Sequence, residues 1–174
     1  MPPQDQIKRG FRLHVNTEQA RLPDGRVVEL DIVRHPGAAA VVPFVSPREV
    51  LLIRQYRHAA GGTIWEVPAG KLEGGEPPQE CAARELEEEA GRRAGRLEPL
   101  GWIWTTPGFT DERIFLFAAF ELETVPARPD HDELIEPVQM PLDRALDLVW
   151  SGELTDAKSA IALVHAARRV GLLP

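Results

Sequence analysis

The sequence predicts an α/β (α+β) fold, a mixed sheet packed between helices and preceded by an N-terminal β-hairpin extension. Three observations carry this. Apolar or alternating runs of strand length recur along the chain, separated by turn chemistry. A single acidic amphipathic helix interrupts them, and two amphipathic helices close the chain. At 174 residues and 19.3 kDa, with 43% hydrophobic residues, the chain suits one domain with a substantial core and a small appendage.

The elements follow in order. Residues 1 to 6 are polar and proline-bearing, and fraying is expected there. Phe11 to Thr17 and Arg26 to Val33 alternate as two strands around Leu22-Pro23-Asp24-Gly25, so residues 1–37 read as a hairpin extension ahead of a main domain at 38–174. Ala38 to Val45 and Glu49 to Tyr56 read as buried strands separated by Ser46-Pro47, and Thr63 to Val67 as a short one. Pro77-Pro78 opens a helix, whose first turn has no need of those amide donors. Leu97 to Trp104 and Arg113 to Leu122 are strands, the second apolar enough to be central. A polar loop, Thr124 to Glu136, holds Asp130, Asp132, Glu133 and Glu136 before a short strand at Pro137 to Met140. Helices at Leu142 to Ser151 and Asp156 to Val170 follow, with Thr155 or Asp156 as cap of the second.

The net charge of −7 argues against general nucleic-acid binding, which needs a basic footprint. It leaves anionic small molecules open, because bound cations and local arginines set the field in a cleft. One cysteine, Cys81, excludes an internal disulfide and suits a buried structural thiol. With no signal peptide and no apolar run of transmembrane length, a cytoplasmic protein without membrane attachment is expected.

The chemistry concentrates in Gly70-Lys71-Leu72-Glu73-Gly74-Gly75-Glu76 and the helix after it, with Arg84-Glu85-Leu86-Glu87-Glu88-Glu89-Ala90-Gly91. At 3.6 residues per turn, Glu85, Glu88 and Glu89 fall within about 100° of one another. Ala82, Ala83, Leu86 and Ala90 occupy a neighbouring arc suited to packing on a sheet, Arg84 lies beside Glu88, and Glu87 points away. Such a helix taken alone reads as a solvated acidic face. Joined to a glycine-rich loop it reads as a site for a hard divalent cation, which takes one or two carboxylates together with substrate phosphates.

The whole pattern resembles the Nudix box. Gly70, Glu76, Arg84, Glu85, Leu86, Glu88, Glu89 and Gly91 match its defined positions, and Arg92 stands where an aliphatic residue is usual. The resemblance implies an α/β/α Nudix sandwich and metal-dependent hydrolysis of a nucleoside diphosphate linked to another group. It implies Glu85, Glu89 and Glu88 as metal ligands with the carbonyl of Ala69, and two or three Mg²⁺ ions, with Mn²⁺ as the alternative. Glu88 is also a candidate for orienting water, and Arg84 for holding the glutamates.

Outside the box, Trp65-Glu66-Val67-Pro68-Ala69 and Ile53-Arg54-Gln55-Tyr56-Arg57 resemble ADP-ribose pyrophosphatases, as does Pro107, 16 residues beyond Gly91. The similarity runs from about Val41 to Ala166. It implies ADP-ribose as substrate, with Arg54, Arg57, Glu66 and Glu112 as contacts. It places the general base in Asp132-Glu133-Leu134-Ile135-Glu136, Glu133 ahead of Glu136, and implies a homodimer paired through the hairpin. Rival readings are GDP-mannose, FAD or another nucleoside diphosphate derivative as substrate, and a sensor that binds ADP-ribose without cutting it. Trp65, Trp102, Trp104 and Phe109 suit either core or stacking roles, with Trp102 and Trp104 on one strand face and Ile103 on the other. None of the five histidines is assigned a catalytic role.

Overall fold

A computed structural model describes residues 15–131 and 133–174. Its strands are β1 (Val15–Arg21), β2 (Val27–Val33), β3 (Ala38–Ser46), β4 (Glu49–Arg57), β5 (Gly62–Glu66), β6 (Ala69–Lys71), β7 (Arg92–Trp104), β8 (Arg113–Thr124) and β9 (Ile135–Pro141). The helices are α1 (Pro78–Ala90), α2 (Leu142–Ser151) and α3 (Ala157–Arg169).

β1 and β2 form a two-stranded antiparallel sheet of their own. The remaining strands form a seven-stranded mixed sheet in which β3 and β8 run parallel and the other pairs are antiparallel. β8 lies between β3 and β7, an interior place that matches its apolar sequence. β4 is paired on both sides, to β5 and to β9.

Strand parity divides the core into two. Ala38, Ala40, Val42 and Phe44 of β3, with Val50 and Leu52 of β4 and Leu116 and Ala118 of β8, pack against α2 and α3. The intervening Ala39, Val41, Leu51, Ile53, Phe117 and Ala119 pack against Cys81, Ala82, Leu86 and Ala90 of α1. Because successive side chains of a strand point to opposite faces, one sheet buries both. That is the α/β/α sandwich the resemblance implied.

Several boundaries differ from expectation. The first strand runs on to Arg21, since its pairing with β2 continues to the turn, and Phe11 to His14 lie outside the described residues. The frayed segment expected at residues 1 to 6 lies outside them too. β7 begins at Arg92 and β9 at Ile135, both lengthened by ladder partners that the local sequence does not announce. On α1 the anchoring face includes Cys81 in place of Ala83, which is only half-buried. The Cys81 thiol donates to the carbonyls of Gly70 and Lys71 at 3.4 Å, and burial pushes its pKa up to about 12. It is a structural thiol joining helix to loop. Asp156 caps α3, accepting the Ser159 amide proton at 3.0 Å.

Candidate active site

The glutamate helix is placed by its two ends and by one missing side chain. Pro78 begins it, and Gly91 ends it in the left-handed conformation (φ 59°), where a Cβ would meet Val125 O at 2.9 Å. At Gly70 a Cβ would lie 1.7 Å from Oε1 of Glu85. Glycine is therefore required there for the Glu85 carboxylate to rest against the loop.

Arg84 ties the cluster. Its Nη1 donates to Glu85 Oε1 at 2.7 Å and Glu88 Oε2 at 2.9 Å, its Nε to Glu76 Oε1 at 3.0 Å, and its Nη2 to Lys71 O at 3.2 Å. These bonds, that to Glu76 foremost, hold its guanidinium charged. Glu87 faces outward to Arg93, as the helical projection required. Glu89 is 2% exposed, and its Oε2 accepts the Ala69 amide proton at 2.9 Å. Burial pushes its pKa up to about 8, against the Ala69 bond, and the charges of Glu85 and Glu133 add to the rise. Burial raises Glu85 as well, with Arg84 opposing.

A cleft of about 680 Å³ opens before this helix. Ala69, Gly70, Arg84, Glu85 and Glu88 line one wall; Gln55, Tyr56, Arg57, Asp130, Glu133 and Lys158 line it elsewhere, with His35 and Glu112. Glu133, from the loop before β9, is close enough to Glu85 and Glu89 to raise both carboxyls. The cleft thus unites the box with Arg57, Glu112 and Glu133.

Arg54, Glu66 and Glu136 are not among its lining residues. Arg54 stands on the other face of β4, over the Trp65 ring at 5.4 Å and 3.7 Å from Glu136. Glu66 is 1% exposed and lies behind Arg57, which donates to its two oxygens at 2.7 and 3.0 Å; Lys158 donates to it as well. Burial alone would raise the Glu66 carboxyl, but these two cations bring it below the ordinary value. Pro107 sits in a turn closed by Phe109 N–H to Thr106 O at 3.2 Å, away from the cleft lining. Trp102 and Trp104 meet edge to face at 5.4 Å with Arg113 over both rings, and they too lie off the cleft. Asp132 lies outside the described residues.

Sequence reasoning missed Lys158, His35 and the role of Gln55. Lys158 enters from α3, far along the chain, and Asp156 fixes it at 2.9 Å. His35 stands 3.4 Å from Glu112, and its ring accepts the Gly37 amide proton at 3.0 Å. Only Gln55 carried a local signal, since it shares a strand face with Ile53 and Arg57.

The donor set fits hard divalent cations. Among the described residues no three acidic, histidine or cysteine side chains form a ready-made cage, and Arg84 takes an oxygen from both Glu85 and Glu88. Yet Glu89 is a buried carboxyl with no cation bonded to it among the described residues, and Glu85 is admitted to the loop only by a glycine. Such carboxylates suit ions that complete their shells with phosphate oxygens and water. No helix among the described residues is long and apolar enough to cross a membrane.

Comparisons with known proteins agree with this geometry. The NUDIX domain family profile matches residues 33–160. The ADP-ribose pyrophosphatase of Bacillus subtilis (strain 168) is 40% identical over 163 residues, covering 92% of this chain and 88% of the relative. A GDP-mannose pyrophosphatase of Cronobacter sakazakii (strain ATCC BAA-894) is 33% identical over 156 residues, covering 80% and 81%. In fold, the chain superposes on the crystal structure of an ADP compounds hydrolase with a TM-score of 0.82 at 23% identity, covering 96% and 92%. This chain belongs to the Nudix family, and it is a hydrolase of nucleoside diphosphate derivatives in a family that generally works with divalent metal ions.

Proposed function

We propose that the chain hydrolyses the pyrophosphate of ADP-ribose, giving AMP and ribose 5-phosphate, with two or three Mg²⁺ ions per site and Mn²⁺ as the alternative. The observation that carries this is the meeting of Glu133 with Glu85 and Glu88 in one cleft that also presents Arg57 and Lys158, with Glu89 buried close enough for Glu133 to raise its carboxyl. ADP-ribose leads because relatives of 40% and 36% identity are named for it. GDP-mannose is the second reading, since other relatives bear that name.

Glu85, Glu88, Glu89 and the Ala69 carbonyl would hold the ions, with Arg84 keeping Glu85 and Glu88 in register. When bound, divalent cations neutralise charge building on the phosphoryl oxygens and acidify a water. Glu133 would take the proton of an attacking water as that water's oxygen bonds to phosphorus and the bridging P–O bond breaks toward the leaving phosphate. Arg57 and Lys158, both aligned from behind by Glu66, supply positive charge to the pyrophosphate opposite the glutamates. Glu112 contacts the terminal ribose from the His35 side. Arg54, across β4, serves outside this cleft. A non-cleaving sensor is disfavoured because all three metal-binding glutamates are in place.

The hairpin, residues 1–37, carries exposed Val15, Val27 and Leu30, and we assign it to a homodimer interface. Light scattering should find a dimer, and a chain lacking the hairpin should be monomeric. A lone buried thiol suits a cytoplasmic site of action. The substrate assignment is tested by Mg²⁺-dependent product release from ADP-ribose, GDP-mannose, FAD and coenzyme A. Preferred cleavage of ADP-ribose supports it; preference for another member transfers the mechanism to that substrate.

A further inference from the structure

Gln55 is poorly explained by packing. It is 2% exposed on β4, and its side-chain carbonyl oxygen is the one buried side-chain polar atom among the described residues with no hydrogen-bond partner. An unmet buried acceptor costs about 1–3 kcal/mol, which an apolar residue of similar shape avoids. Such a group in a native interior calls for a functional account.

The other end of the amide supplies one. Gln55 Nε2 donates to Glu133 Oε1 at 3.2 Å. This orientation is dictated by chemistry, because an ionised carboxylate only accepts and so must face the amide NH₂. The second oxygen of Glu133 accepts the Asp130 amide proton at 3.2 Å, a bond within its own loop. Gln55 is therefore the tie from this carboxylate to the sheet. The backbone is pinned beside it, with Tyr56 N–H donating to Leu134 O at 3.2 Å. β4 is a stiff support, flanked by β5 and β9 at this very residue, where Gln55 pairs with both Ile64 and Ile135.

We propose that Gln55 is a positioning residue for Glu133, holding its carboxylate in the cleft opposite the glutamates of α1. The inference rests on Glu133 being the general base. Its orphan oxygen is the stability given up for that placement.

The test uses Gln55→Met and Glu133→Gln, singly and combined, with ADP-ribose and Mg²⁺, together with thermal unfolding. Gln55→Met should lower kcat about 10-fold or more, in the range found for residues that orient a catalytic group. KM should stay within about twofold, and Tm should not fall, because the unmet acceptor is gone. On the Glu133→Gln background the same change should cost nothing further, since residues acting as a unit are non-additive. Gln55→Glu, which sets a carboxylate against Glu133, should recover activity relative to wild type as pH falls. Wild-type kcat in Gln55→Met, or losses that multiply in the double variant, would overturn the inference while a slow Glu133→Gln keeps the base. Full turnover in Glu133→Gln would remove the base assignment and this inference with it.

Discussion

One wall of the cleft comes from the single stretch Ala69 to Glu88; across from it, Gln55, Arg57, Glu133 and Lys158 come from β4, the loop before β9, and α3. The first wall is a local object. Helical periodicity gathers its glutamates, Arg84 ties them, and Gly70 makes room. The second wall exists only when β9 and α3 have docked. Its buried groups are also the costlier ones, a carboxylate between two cations and an amide with one unmet oxygen. Charge placed by a motif needs little support from the fold, whereas charge placed by topology must be held from behind.

The largest effect should come from the local wall. Glu89→Gln should reduce turnover by more than the roughly 10–100-fold typical of a residue that only orients a ligand. The same variant has a stability signature. The folded carboxyl of Glu89 titrates near 8, above its ordinary 4.5, so its contribution is fully present below pH 4.5 and is lost as pH rises through about 8. Without metal, Glu89→Gln should therefore melt higher than wild type at pH 8, and the gap should close toward pH 4.5. Calorimetry across that range checks it, and a constant gap would point to packing.

Glu66→Gln probes the other wall. Removing one charge from a buried pair costs about 3 kcal/mol, the low end because Arg57 stays reachable by water. Denaturant unfolding should show that loss together with a raised KM. A normal KM would detach Arg57 and Lys158 from substrate binding.

Gly70→Ala sharpens the contrast. The clashing atom is the far end of a side chain, so stability should change by less than about 1 kcal/mol. Displacing the Glu85 carboxylate should still weaken apparent metal affinity about 10-fold or more. Metal titration of activity decides this, and unchanged affinity would separate Glu85 from the site. The smallest effect belongs to Arg54→Gln, expected to leave KM within about twofold because an exposed ion pair contributes little. Arg57→Gln should raise KM about 10-fold, the loss of a charge-assisted hydrogen bond.

The parity of β4 shows how much was legible and where reading stopped. Arg54 and Arg57 were both assigned to substrate, yet Arg57 lines the cleft while Arg54 lies over Trp65 beside Glu136. Opposite parity separates the two, a signal that lay in the sequence unused, but parity alone does not place a residue at the cleft, since Tyr56 shares the parity of Arg54 and lines it. The resemblance of Trp65 to Ala69 to ADP-ribose pyrophosphatases implied Glu66 as a contact, but which face of β5 is buried depends on α3 covering it. Lys158 could not be found by pattern at all, since a lysine at the start of an amphipathic helix ordinarily faces water.

The sequence by itself determined a mixed sheet between helices and the carboxylate helix, and its resemblance to the Nudix family implied the α/β/α sandwich. The first two depend on periods of 2 and 3.6, which act over a few residues, whereas the seating of Glu85 against Gly70 required loop and helix to pack together. Only the tertiary structure decided that Glu133 rather than Glu136 enters the cleft, that Glu66 stands behind Arg57, and that Lys158 joins them. Those outcomes follow from strand register and helix docking, where contacts between residues far apart in the chain set which side of each element meets the site.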